Sequence, residues 1–212
     1  MNGIMKLDHF AYASSSLDKA IADFEDWTGV RPTPGGSHPG KGTRNALVSL
    51  GPGLYLALDA PDPAQRLAGN NGAWMAELDG YFLFLFAVAT DDIERAQRVL
   101  AGHDVATKLV SGERRTGDGR PIAWDFLDGT DEGFGIALPH VMRWKTDHHP
   151  SVDSPAGCRL ASFTVQHPDP VRVRALYAEL GLEDVEVRQG AGIALSMSVN
   201  GSHGDVTLPS RS

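Results

Sequence analysis

Residues 7–29 read LDHFAYASSSLDKAIADFEDWTG, and this stretch decides the fold. The opening LDHFAYA mixes apolar and polar residues as a strand with two unlike faces does. The remainder places Leu17, Ala20, Ile21, Phe24 and Trp27 at spacings of three and four. That is a helical stripe, opened by serines suited to capping and closed by Gly29. The pattern returns twice, as FLFLFAVATDDIERAQRVLAG (82–102), with Thr90 as the expected cap, and as CRLASFTVQHPDPVRVRALYAELG (158–181). After each helix the period falls toward two, the mark of strands. RNALVSL and LYLALDA flank Gly51-Pro52-Gly53, PIAWDFL and GFGIALP flank a turn-rich stretch, and GIALSMSV and GDVTLP flank Asn200-Gly201. Each unit therefore reads strand, helix, then two or three strands. The expected fold class is α+β, with tandem βαβββ units at 5–60, 81–142 and 158–210 joined by polar connectors.

Composition narrows the function. The chain has 212 residues, 42 % apolar and 22 % charged, an ordinary globular balance. With 27 acidic against 19 basic residues it carries a formal charge of −8. It lacks the basic field that nucleic acid or an anionic membrane attracts, so neither is an expected partner. The longest apolar run, Tyr81 to Ala89, is too short to cross a bilayer as a helix. The start MNGIMKLDHF shows no cleavable apolar leader, and the single Cys158 can form no internal disulfide. A cytoplasmic protein is expected.

Residues 7–63 carry a more specific pattern: LDH on the first strand, GGSHPGKGTRNA before the third, and YLALDAPDP after it. TDDIERA, DGRPIAWDF, Arg143-Trp144 and His149-Pro150 continue it. The sequence resembles the glyoxalase-like domain family of the vicinal-oxygen-chelate (glyoxalase, bleomycin-resistance and extradiol-dioxygenase) superfamily over roughly residues 5–150. The resemblance implies that paired units form a curved mixed sheet around a cleft, helices outside. It also implies a divalent metal held by residues of the first and last strands. Mapped onto this chain the ligand set is incomplete. His9 stands at the first-strand position, but Ala57, Leu85 and Ala137 occupy the others, and Asp59 is two residues displaced. No metal ligand is therefore assigned, and the cofactor is left open.

His9 is the candidate catalytic residue, as a general base, a single metal ligand, or a buried histidine bonded to backbone. The glycine-rich segment 35–45 brings His38, Thr43, Arg44 and Asn45 together as donors to a ligand oxygen, or as a self-satisfied structural loop. Trp124 and Trp144 are candidate pocket walls or simply packed aromatics. Of the neighbours His148 and His149, one is expected to line the cleft, since adjacent residues of an extended chain point apart; His148 is the one assigned. The expected function is binding of a small oxygen-bearing molecule between units one and two, with proton transfer or lyase/isomerase chemistry. The alternative is a non-catalytic protein that sequesters such a molecule. Because the superfamily's units work in pairs, the third unit is expected to extend the sheet or to pair with its counterpart in a homodimer.

Overall fold

Ser16 accepts the Lys19 N–H, and Gly29, in left-handed backbone at φ 73°, closes the helix that this cap begins. Strand β1 (Lys6–Ser14) thus feeds helix α1 (Leu17–Thr28). The structure, a computed structural model, describes residues 5–115 and 119–210. β2 (Thr33–His38), β3 (Thr43–Gly51) and β4 (Leu54–Pro61) complete the first segment, and a short helix α2 (Asn71–Ala76) lies in the connector. The second segment is β5 (Tyr81–Ala89), α3 (Ile93–Gly102), β6 (Thr107–Arg115), β7 (Pro121–Gly129) and β8 (His140–Trp144). The third is β9 (Arg159–His167), α4 (Pro170–Leu180), β10 (Glu186–Gln189), β11 (Ala194–Gly201) and β12 (Gly204–Thr207).

Three expectations need correction. Asp92, not Thr90, caps α3 by accepting the Arg95 N–H, while Thr90 Oγ1 accepts the Asp92 N–H. The stretch GFGIALP is not a strand. Phe134 and Ala137, three residues apart, are both fully buried, Gly135 sits at φ 50°, and Gly135–Ala137 wind into one tight turn. The last strand of the second segment is therefore β8, and Trp144 lies on it.

Eight strands form one curled sheet in the order β2-β3-β4-β1-β5-β8-β7-β6. In each half the first strand pairs parallel with the last, β1 with β4 and β5 with β8. The halves meet where β1 pairs antiparallel with β5, Phe10 opposite Phe86. Each joint strand carries a register shift, one between Leu7 and His9 and one that skips Phe84 between Leu85 and Leu83. Asp8 and Phe84 are thus the extra residues of two bulges that mirror each other about the Phe10–Phe86 pair.

Helices α1 and α3 cover one face of this sheet, and the core lies beneath them, built on Phe10, Tyr12, Leu56, Leu58, Phe86 and Val88. The third segment makes its own sheet, β10-β9-β11-β12, in which β9 pairs parallel with β10 and antiparallel with β11. It keeps the element order of the other two but not their pairing. It does not extend the large sheet. It packs against the helix-bearing face, where the Phe163 ring lies 4.8 Å from Phe10 and 5.0 Å from Phe86. The C-terminal residues fasten it there: Tyr12 donates its hydroxyl to the Pro209 carbonyl, and Leu83 N–H donates to Ser210 Oγ at 3.0 Å. The apolar face of the third sheet is covered within the chain, which removes the reason for expecting a second copy to cover it.

Phe163 is 5 % exposed and touches both halves of the joint. Phe163→Ala is expected to cost about 3–5 kcal/mol in urea unfolding, whereas Val171→Ala, on the exposed face of α4, should change stability by less than about 0.5 kcal/mol.

Candidate functional site

Simple alternation along β1 would send Asp8 to the helix side, opposite His9. The bulge turns it instead to the concave face, beside His9. There Asp8, 2 % exposed, accepts hydrogen bonds from three residues. His9 Nδ1 lies 2.7 Å from Oδ1, Trp144 Nε1 donates to Oδ2 at 2.7 Å, and His149 Nε2 lies 3.2 Å from Oδ2. The His149 tautomer follows from its other nitrogen. Ser151 N–H donates to His149 Nδ1 at 3.2 Å, so the hydrogen sits on Nε2, facing the carboxylate. Burial alone would raise the Asp8 carboxyl, but the hydrogen bonds from His149 and His9, the His9 charge and the Trp144 indole outweigh it and hold the group well below the usual carboxylate range.

This carboxylate fixes the His9 ring through Nδ1 and leaves Nε2 toward the cleft. Tyr55 stacks on the ring at 4.8 Å and 16°, and the His9 side chain keeps 20 % of its surface open. Trp144 stands edge-on to His149 at 5.3 Å and to Trp124 at 6.0 Å, so both tryptophans form one aromatic wall. On the cleft side of the joint, Ala87 pairs with His9 on β1 and with His140 on β8. His9 and His140 therefore flank Ala87 at two strand spacings, about 10 Å between Cα atoms. Burial, and next the charge of nearby His9, push His140 down to about 4, which leaves its imidazole neutral at physiological pH. Ala11 and Ala57, paired to each other, continue the floor.

The far end of the same face holds a second polar group. Asp59, opposite Asn45 on β3, is buried by the wall around it, which pushes its carboxyl up to about 7 against a weaker pull from the Asn45 amide. Its Oδ1 has no hydrogen-bond partner among the described residues. Asn45 Nδ2 lies 3.2 Å from His38 Nε2, and His38 Nδ1 lies 2.9 Å from Thr43 Oγ1. These residues are not on a free loop, because His38 belongs to β2 and pairs with Thr43 in a hairpin. Four residues along β4 separate Tyr55, the His9 partner, from Asp59, about 13 Å. Between the poles, Phe84, the bulge counterpart of Asp8, packs edge-on to Trp74 at 5.4 Å, beside Phe82.

Thus His9, Trp124 and Trp144 gather at one pole, and His38, Thr43 and Asn45 at the other. Arg44 alternates to the opposite face from Asn45, and its buried Nε has no hydrogen-bond partner among the described residues. His148 bonds away from Asp8, with Nε2 2.5 Å from Asp153 and Nδ1 3.1 Å from Arg120. Its neighbour His149 joins the cleft, as the alternation of the pair requires for one of them. Asp8 and His140 escaped the sequence reading, the first behind a bulge and the second behind a misassigned strand.

The metal implied by the resemblance finds a poor donor set. With β8 placed, His140 rather than Ala137 occupies the last-strand position, yet Ala57 and Leu85 still fill the other two. Asp8 is committed to His9, His149 and Trp144. No group of three His, Cys, Asp or Glu among the described residues converges on a metal-sized gap. Two imidazoles are too few to hold the ion, and no chemical step is routed through one.

Comparison with known proteins bears on the family and the fold. A family model described as a glyoxalase-like domain matches residues 7–181. No curated protein matches the chain. A crystal structure of a hypothetical protein from Staphylococcus aureus is similar at 16 % identity, covering 90 % of this chain and 88 % of that one with a TM-score of 0.64, a likeness of fold alone. Methylmalonyl-CoA epimerase from Mycobacterium tuberculosis matches at 20 % identity over 65 % of this chain and 85 % of its own, TM-score 0.43. The Streptomyces coelicolor epimerase in complex with 2-nitronate-propionyl-CoA matches at 19 % over 68 % and 99 %, TM-score 0.47.

The raised Asp59 carboxyl makes a signed prediction. The folded state keeps its proton up to about pH 7, whereas an unfolded carboxyl loses it near its ordinary value of 3.8. Folding stability is therefore lost as pH rises through this window. Asp59→Asn should remove that slope and gain on the wild type, by on the order of 2–4 kcal/mol between pH 4 and pH 8, in urea unfolding.

Proposed function

The chain belongs to the glyoxalase-like domain family, and we propose that it binds a small carbonyl-bearing molecule over the Ala11–Ala57–Ala87 floor and moves a proton beside that carbonyl. The observation that supports this reading is the buried Asp8 carboxylate bonded to His9 Nδ1. A carboxylate there holds the ring in one tautomer and makes Nε2 the better base. Nε2 takes the proton from the carbon next to the carbonyl, and the electron pair of the broken C–H bond moves onto the carbonyl oxygen. His140, neutral and across Ala87, is placed to donate a hydrogen bond to that oxygen as charge develops on it. Return of the proton to the neighbouring carbon, or to the opposite face of the same carbon, completes an isomerisation. Trp124 and Trp144 close one side of the cleft and exclude water, which strengthens both interactions.

The same reading places the protein in a reducing cytoplasm, supported by one buried cysteine, and in a homodimer, for which the open β2 edge of the large sheet is available. Among the described residues no helix is long and apolar enough to cross a membrane. The net charge of −8 argues against a nucleic-acid partner.

Proton transfer is measured without knowing the natural substrate, by NMR of hydrogen–deuterium exchange at the carbon acids of an α-hydroxyketone and 1,3-diketone panel. Wild type should accelerate exchange for at least one compound. His9→Gln should slow it by about 10²–10⁴-fold, and His140→Ala by about 10–10³-fold. His148→Ala, which removes a ring bonded to Asp153 and Arg120 rather than to Asp8, should leave it unchanged. Absence of exchange by the wild type across the panel would sink the proton-transfer reading in favour of simple sequestration.

A further inference from the structure

A cavity of about 1030 Å³ opens beside the acid–base pole but outside the concave floor. It lies where the β3–β4 turn, the Pro150–Val152 turn and the start of β9 come together. Its size is that of a small-molecule site. Its lining is unusual for this chain. Although 27 of the 212 residues are acidic, none of the fifteen that line the cavity is. One lining residue, Arg159, is a cation whose side chain makes no ion pair or hydrogen bond among the described residues. Its cross-strand neighbour Asn200 is occupied with Asp205. Leu54, Leu160 and Val152 supply apolar surface, and Val152 is 72 % exposed at the cavity, an apolar side chain with nothing over it.

From this juxtaposition we propose that the cavity is a second ligand site, taking an aliphatic monocarboxylate with its anionic head on Arg159 and its chain against Val152, Leu54 and Leu160. A guanidinium without an ion pair among the described residues, in a wall without carboxylates, favours an anion, and its planar fork suits a carboxylate. The aliphatic body covers Val152. One wall is shared with the acid–base pole, because His149 lines the cavity and also holds Asp8. An occupant that touches His149 is therefore felt at the carboxylate that orients His9.

Sodium octanoate is the probe, titrated into the full-length protein by calorimetry, with 1-octanol and octylamine as the neutral and cationic counterparts. Octanoate should bind and the other two should bind at least about tenfold more weakly. Arg159→Glu should weaken octanoate by roughly tenfold or more, and Val152→Trp, a change at an exposed position that leaves folding intact, should block it. His9→Gln should bind octanoate as the wild type does, so that this outcome is independent of any catalytic activity. Octanoate should also move the side-chain ¹⁵N resonances of His149. Equal binding of octanol and octanoate, undiminished binding by Arg159→Glu, or binding that leaves His149 unmoved would each overturn the proposal.

Discussion

Phe10 faces Phe86 across the joint between the two halves of the large sheet, and the rest of the molecule is arranged about that pair. The two residues hold equivalent places in their halves, so the local two-fold passes between them. On the helix side Phe163 of the third segment sits on both rings. The extra segment is therefore a cap on the joint, built from a sheet of its own. On the other side the joint sets the cleft floor, since Ala11, Ala57 and Ala87 follow from its register. A bulge on each side of the pair then decides what rises from that floor.

The duplicated frame carries unlike chemistry. Where the first half presents Asp8 and His9, the second presents Phe84 and Leu85. The polar half organises a charge: one buried carboxylate, three donors, and an imidazole left with a nitrogen toward the cleft. The apolar half, with Trp74 and Phe82, offers a dry surface. A ligand lying across the joint meets both. Burying Asp8 without its donors would cost several kcal/mol, so Trp144 and His149 are as necessary to the arrangement as His9.

Much of the fold was legible because helical spacing and capping leave strong local marks. Leu17, Ala20, Ile21 and Phe24 all bury as their stripe requires, and Gly29 and Gly181 close their helices in left-handed backbone. What escaped was set by non-local geometry. GFGIALP alternates as a strand does, but Gly135 and the burial of Phe134 turn it into a tight turn, which moved the last strand to His140. The different pairing of β9 leaves no trace in its own residues. Of the candidate site, His9 and Trp144 were singled out from the family pattern, whereas Asp8, in the same LDH triplet, was passed over. A bulge depends on the partner strand, and without it alternation assigns Asp8 to the wrong face. Likewise, adjacency in His148-His149 implied that one faces the cleft, and only the contact of His149 with Asp8, 141 residues away in the chain, shows which.

A bulge puts Asp8 beside His9 and so fixes the ring with Nδ1 protonated and Nε2 open. The direct measurement is ¹⁵N NMR of the His9 side chain in histidine-labelled protein at pH 8, alone and in the Asp8→Asn variant. A single tautomer is expected in the wild type, with hydrogen on Nδ1, and its loss in Asp8→Asn. A wild-type His9 with hydrogen on Nε2, or a tautomer mixture unaffected by Asp8→Asn, would contradict it.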